Sequence, residues 1–449
     1  MFHDTAHGSL NAWPYPSRHL TSDNGNTRAL RSLLNADRHN VNAYVSLIRL
    51  LEAEGRNSET VGVWYGLGNT LESLGRFTEA ASAYGQAIRV KPDCLRALIR
   101  LGEVHLTLRM PAKAVSSFEA ALAISPDNLN AHIRLGAALD CLGDSRRALD
   151  EFRWYYTGSR SAEFEQPLWD GSSLEGRTLL LWARMGLGDA IRDVRYCRLL
   201  RPRCKRLVLE CDVRLVSLFE HNDCADIVVA RGAPLPAFDT HAPLFALPRL
   251  VDTSRHTIAS LVPYLRVASR HRDPWYERVP PSSDRIVGLK WTGDPTRRNA
   301  HSRFMSPDFL APLASVPNIR FVSLELDAAD RPSSVPDALN LTTALNDRCS
   351  VLDAAALVSC FDLVISVDTM IAHLAGALAH PVWILAPFSP SSWLWHLTEQ
   401  GTPSWYPTMR IFRQSRPGDW SSAVAAVCEA LSASRVTSRI PSATPAKLD

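Results

Sequence analysis

The sequence predicts a chain of class α + α/β, an all-helical repeat array followed by two α/β halves. Three observations predict it. Small and apolar residues recur with a 34-residue period between residue 61 and about residue 155. From residue 175 the pattern changes to short apolar runs alternating with helical ones, and the first turn reads Gly186-Leu187-Gly188-Asp189. From residue 284 the alternation starts afresh and includes an apolar run, a polar step at Asp368-Thr369 and a helical run, within 361–376.

Composition sets the outer bounds. A chain of 449 residues has room for two or three domains, each with its own core. Its 46% hydrophobic and 21% charged residues are those of a globular protein. A net charge of +3 is too small to argue for nucleic acid or an anionic membrane surface as partner. Nine cysteines are scattered without a C-x-x-C pair, and Cys197, Cys204 and Cys211 lack the short paired spacing of a zinc site. Free thiols and no metal are therefore expected. The N-terminus has no apolar run of the secretory kind, and no stretch reaches the roughly 18 apolar residues of a membrane span. The expected location is cytoplasmic.

The repeat is specific. Its first copy carries Trp64, Leu67, Gly68, Leu71, Gly75, Ala80, Tyr84, Ala87 and Pro92. The second carries Leu98, Leu101, Gly102, His105, Ala114, Phe118, Ala121 and Pro126, and the third His132, Leu135, Gly136, Leu139, Gly143, Ala148 and Phe152. Leucines at i, i+4, as in Leu67 and Leu71 or Leu135 and Leu139, make an apolar face on the first helices. Gly68, Gly102 and Gly136, with Ala80, Ala114 and Ala148, let neighbouring helices approach closely. Pro92 and Pro126 end the second helices. No single pair buries its apolar face, so the pairs must stack. Further helices are expected over 28–37 and 41–55, a disordered tail over 1–26, and a turn-rich link over 157–174. The pattern resembles the tetratricopeptide repeat, which implies a protein or acceptor partner on the array.

In the next region, 177–183, 206–210 and 226–230 read as strands, and 190–200 and 213–220 as helices. This alternation argues for a parallel, doubly wound sheet over 175–283. Gly186 and Gly188 permit a tight turn and a close approach of ligand to backbone. Asp189 falls at the carboxyl end of the first strand, where such sheets bind ligands, and there it can serve either as a general base or as a helix cap. A polar insertion over 238–244 makes His241 a candidate for lining the cleft, although a lone histidine is more often structural.

A second half is expected over 284–434, with a disordered tail over 435–449. Residues 285–291 and 320–324 read as strands, 309–313 and 351–359 as helices, 339–341 as a short strand and 382–385 as a further strand. The loop 292–303 is cation-rich: Arg297, Arg298, His301 and Arg303, with Lys290 just before, can neutralise a diphosphate. In 361–376 a buried strand leads through Asp368-Thr369 into a helix that carries His373 one turn in. That geometry aims free backbone N–H groups and a positive helix end at an anion.

Several pieces in order resemble glycosyltransferase family 9, the heptosyltransferase family, in its form fused to tetratricopeptide repeats. They are Trp169-Asp170-Gly171, Gly186-Leu187-Gly188-Asp189, the 238–248 run, Gly288-Leu289-Lys290-Trp291-Thr292-Gly293, Phe321-Val322-Ser323-Leu324, the 366–376 run, Trp405-Tyr406-Pro407 and Phe412-Arg413-Gln414. The resemblance implies a GT-B fold of two Rossmann-like domains. It also implies inverting transfer, without metal or other cofactor, from a nucleotide-diphosphate sugar to a glycan, lipid-linked or protein acceptor. By position Asp189 matches the family's acidic base, and Asp368, Thr369 and His373 match the residues that hold the donor diphosphate. The chain departs from the family's pattern at Ala300 and His301, at Leu394, and at Arg192, where Gln is usual. A repeat scaffold with a degenerate transferase half, or a nucleotide-sugar-binding protein without turnover, is the alternative these departures raise.

Overall fold

The computed structural model describes residues 25–157, 164–251, 261–293, 304–325, 342–343, 345, 349–388 and 405–433. Arg303, Ala300, His301, Leu394 and the strand expected over 339–341 lie outside the described residues, as do 1–24 and 434–449. The chain divides into two compact units, residues 1–104 and 105–449.

The first unit holds helices α1 (Gly25–Ala36), α2 (Val41–Ala53), α3 (Asn57–Ser73) and α4 (Phe77–Val90), and all but the end of α5 (Leu95–Thr107). Asn40 caps α2 by accepting from the Ala43 N–H at 3.0 Å. The α3–α4 pair explains its repeat residues. A Cβ on Gly68 would stand 2.5 Å from the Tyr84 ring, so glycine is the residue that admits Tyr84 into the seam. Ala80, Tyr84 and Ala87 are wholly buried there.

The second unit begins with the remaining repeat helices, α6 (Pro111–Ile124), α7 (Leu129–Cys141) and α8 (Ser145–Thr157). The same device recurs: a Cβ on Gly136 would meet the Phe152 ring at 2.9 Å. Helix α8 packs on α12 (Leu247–Leu250) and on the 3-10 turn Leu244–Ala246, which fixes this end of the repeats to the α/β part.

Two parallel sheets follow. The first comprises β1 (Thr178–Trp182), β2 (Arg206–Cys211), β3 (Ile227–Ala230) and β4 (Thr240–Pro243), in the spatial order β3-β2-β1-β4. Helices α9 (Leu187–Asp193), α10 (Cys197–Leu200) and α11 (Val213–His221) connect its strands. After α13 (Ser269–Arg278) the second sheet is built from β5 (Arg285–Lys290), β6 (Ile319–Ser323), β7 (Thr342–Thr343), β8 (Leu363–Val367), β9 (Val382–Ala386) and β10 (Met409–Arg413), in the order β10-β9-β8-β5-β6-β7. Helices α14 (Val351–Val358), α15 (Met370–Ala377) and α16 (Trp420–Ala433) complete it. Each sheet is wound outward in both directions from its first strand. The crevices where ligands enter such sheets therefore lie beyond the carboxyl ends of β1 and β4, and of β5 and β8.

One core runs through both halves. Leu179 and Leu181 of β1, Ile191 of α9, and Leu374 and Ala375 of α15 belong to a single buried cluster. A second cluster lies on the far side of the second sheet, where Val287, Leu289, Phe321 and Ile365 meet Val424, Val427 and Leu431 of α16.

Three local expectations differ. The helix expected over 190–200 starts earlier, at Leu187, and runs as α9, a 3-10 turn Val194–Tyr196 and α10 without a gap. Beside that 3-10 turn the buried Arg195 turns its Nε back onto the Arg192 carbonyl at 2.7 Å. The polar insertion over 238–244 contains β4, pairing residue by residue with β1. The link over 157–174 supplies an edge to that strand, since Trp169 N–H donates to the His241 carbonyl at 2.7 Å and His241 N–H donates to Pro167 at 3.2 Å.

Candidate active site where two helix starts meet

The crevice of the first sheet is opened by Gly186, the N-cap residue of α9, which makes no side-chain cap. Asp189 sits inside the first turn and leaves the cap position to Gly186. Its carboxylate accepts from Arg192 Nη1 at 3.2 Å and is about a quarter exposed. Arg192 is buried and shared: its Nε and Nη2 donate to Asp193 at 2.5 and 2.6 Å, and its guanidinium lies 5.3 Å from the Trp405 ring.

The crevice of the second sheet is opened by β8. Its five residues are all buried, and Asp368 and Thr369 follow at its carboxyl end. Thr369 is the N-cap of α15 but caps nothing with its side chain; its hydroxyl lies 2.9 Å from that of Ser366. Lys290, at the end of β5, is opposite Ser366 in the ladder. Its ammonium is ion-paired with Glu325, which also accepts from the N–H groups of Trp291 and Thr292, each at 2.9 Å. Asp368 has Arg413 of β10 within electrostatic reach. Burial, with Arg109 near it, pushes the Arg413 guanidinium down to about 10, and Asp368 pulls the other way.

The two crevices meet. Helices α9 and α15 pack together, and a Cβ on Gly188 would stand 2.5 Å from Cδ2 of His373 and 3.3 Å from its Nε2. The group that approaches Gly188 closely is thus the imidazole of the other half. His373 is buried, and its Nδ1 lies 3.0 Å from the Tyr406 hydroxyl.

Of the residues singled out from the sequence, Gly186, Gly188, Asp189 and His373 are brought together. Asp368, Thr369 and Lys290 stand at the adjoining strand ends. His241 is placed elsewhere. It is wholly buried in β4, its Nδ1 accepts from Trp182 Nε1 at 3.2 Å, and the rings of Phe164 and Phe238 flank it. Burial lowers its pKa. A histidine in this apolar setting packs the sheet and does not line the cleft, because β1 and β4 put it on the face shared with Leu180 and Trp182. Sequence reasoning passes over Glu325 and takes Arg413 only as part of a motif, without a place at the site. Each is a single charged residue at a strand's carboxyl end, and that position is the signal that marks them.

The fold and site define a repeat protein joined to two doubly wound, Rossmann-like parallel α/β halves, and residues 65–129 match the family model for the tetratricopeptide repeat. The chain is 27% identical over 427 residues to Protein FlbA of Caulobacter vibrioides, covering 85% of this chain and 69% of that relative. Among solved structures it is similar to the E. coli ADP-heptose lps heptosyltransferase II, with 13% identity, 57% of this chain and 98% of that chain covered, and a TM-score of 0.41. It is also similar to a glycosyl transferase family 9 protein from Veillonella parvula, with 12% identity, 58% and 98% covered, and a TM-score of 0.42. No helix among the described residues is long and apolar enough to cross a membrane.

Proposed function

We propose that the chain is a glycosyltransferase that moves a sugar from a nucleotide-diphosphate donor to a glycan, lipid-linked or protein acceptor, with inversion and without metal. The observation that carries this reading is the meeting of two helix starts, both lacking a side-chain cap, one from each α/β half, with Asp189 on one and His373 on the other. In this reading the donor diphosphate lies at the start of α15, held by its backbone N–H groups with Asp368, Thr369, His373, Lys290 and Arg303 around it. Asp189 removes the proton of the acceptor hydroxyl, which attacks the anomeric carbon in line while the nucleoside diphosphate departs. The repeats present the acceptor or a protein partner. The reaction takes place in the cytoplasm, where nucleotide sugars are made.

The test is a panel of nucleotide sugars incubated with the full chain, read as donor hydrolysis and as transfer. Turnover on one donor that falls by about 10²–10⁴-fold in Asp189→Asn supports both the activity and the base. No binding and no turnover across the panel overturns it.

One observation favours a second reading. The Asp189 carboxylate already accepts a hydrogen bond from Arg192 at 3.2 Å, so one of its oxygens is engaged within its own helix and is not free to take an acceptor proton. In this reading the chain binds a nucleotide sugar or a protein without turnover. Calorimetry that finds nucleoside diphosphate binding with no consumption of any donor favours it.

A further inference from the structure

His373 is held from behind by a buried chain of hydroxyl groups. Its Nδ1 lies 3.0 Å from Tyr406 Oη, Tyr406 Oη lies 3.4 Å from Tyr264 Oη, and Tyr264 Oη accepts from Arg195 Nη2 at 3.1 Å. Arg195, Tyr264 and Tyr406 are all buried, and the guanidinium is further fixed by donating to the Trp405 carbonyl at 3.0 Å. The chain has a direction. A guanidinium can only donate, so Tyr264 accepts from Arg195; with its oxygen engaged in this way, its own proton is best directed to the neighbouring Tyr406 hydroxyl, and that is the direction assigned to the chain. Tyr406 then has one proton left to give, and the atom in front of it is Nδ1 of His373. Burial pushes both phenols up, so each keeps its proton through the ordinary pH range. With Nδ1 accepting, a neutral imidazole carries its proton on Nε2. That edge of the ring faces the α9 turn at Gly188.

We infer that Arg195, Tyr264 and Tyr406 are positioning residues that fix His373 as the Nε2–H tautomer, a neutral donor turned toward the meeting point of the two halves. Resting on the function proposed above, this donor serves an anionic oxygen of the nucleoside diphosphate. The chain also spans the halves. Arg195 follows α9 in the first, Tyr406 precedes β10 in the second, and Tyr264 lies on the connecting segment, where its N–H donates to Ala377 at the end of α15. The tautomer is thus set correctly only while the halves are docked. Gly376 is part of the device, because a Cβ there would stand 2.4 Å from the Tyr406 ring.

The test reads the tautomer directly, in the ligand-free full chain labelled with ¹⁵N-histidine, at a pH above the histidine range. The His373 signals are identified by their loss in His373→Gln. The expected spectrum has a pyridine-type Nδ1 and a pyrrole-type Nε2. Tyr406→Phe and Tyr264→Phe, each keeping the ring, are expected to give a mixture of tautomers. They are also expected to weaken binding of ADP or UDP by about 5–30-fold, equivalent to the loss of one hydrogen bond. An Nδ1–H tautomer in the native chain overturns the inference, and so does an unchanged His373 spectrum in a folded Tyr264→Phe or Tyr406→Phe variant. If Tyr406→Phe does not fold, Tyr264→Phe decides. A native Nε2–H tautomer that disappears in the variants upholds the inference even if no nucleoside diphosphate binds, and in that case the proposed function fails alone. Sugar transfer by a chain whose His373 carries its proton on Nδ1 overturns the inference and leaves the proposed function standing.

Discussion

At the scale of single residues, the two glycines of the site do different work from what their motif suggests. Gly186 begins α9 with an ordinary extended backbone, whereas Gly188 is required by contact, because His373 fills the space a side chain would need. Gly188→Ala is therefore expected to cost about 1–3 kcal/mol by overpacking. Urea unfolding monitored at Trp405 checks it, and an unchanged midpoint would mean that the halves separate freely at this point. His241 gives a pH prediction. Burial lowers its folded pKa below the unfolded value of about 6.5, so the folded chain holds fewer protons there than the unfolded chain does. Its contribution is whole above about pH 6.5 and is lost as pH falls toward its folded pKa. Urea midpoints measured from pH 8 down to pH 5 should fall less steeply in His241→Phe than in the native chain. The sequence marked Asp189 and His373 correctly as neighbours of strand ends. It left His241 open between cleft and core, because a histidine between Thr240 and Ala242 has the same letters whether its side chain is covered or faces a rim.

At the scale of elements, the site is made where strands end. The turn after β5 is stitched to the end of β6 by Glu325, which gathers Lys290 and two backbone N–H groups. Glu325→Gln keeps the shape but removes the charge, and should cost about 1.5–3 kcal/mol, the usual worth of hydrogen bonds to a charged group. Chemical unfolding checks it, and Lys290→Met combined with it should recover part of the loss. The repeat helices were legible because their signal is local: a leucine face, a glycine and an alanine at fixed offsets, a proline stop. Phe118, wholly buried in α6, is expected to cost about 3–5 kcal/mol on substitution by Ala, measured the same way. β4 was illegible for the opposite reason. Its four residues, Thr240 to Pro243, carry no apolar alternation, and they form a strand because β1 on one side and residues 167–169 on the other supply hydrogen bonds.

At the scale of the whole molecule, the α/β halves are joined through charge as well as through apolar packing. Arg192 and Arg195 lie buried beside Trp405, with Asp193 as the buried counter-charge of Arg192. Gln is the residue the family resemblance leads one to expect at 192, yet Arg192→Gln here leaves the Asp193 carboxylate buried without its partner. That should cost about 3–5 kcal/mol, and the double variant with Asp193→Asn should restore much of it. Equilibrium unfolding of the two variants checks both statements. A harmless Arg192→Gln would show that the arginine is an accessory to the interface.

The amino-acid sequence by itself determines what depends on neighbours along the chain: a 34-residue helical repeat, two alternations of strand and helix, and turns with Gly186, Gly188, Asp189 and Asp368 at strand ends. Periodicity and turn chemistry are local, so they survive without a partner to read them against. The order β3-β2-β1-β4 and β10-β9-β8-β5-β6-β7, the meeting of Gly188 with His373, and the line from Arg195 through two tyrosines to Nδ1 depend on residues up to about two hundred positions apart. Those relations are decided by how buried surface and buried polar groups can be satisfied together. They become visible only once the chain has folded.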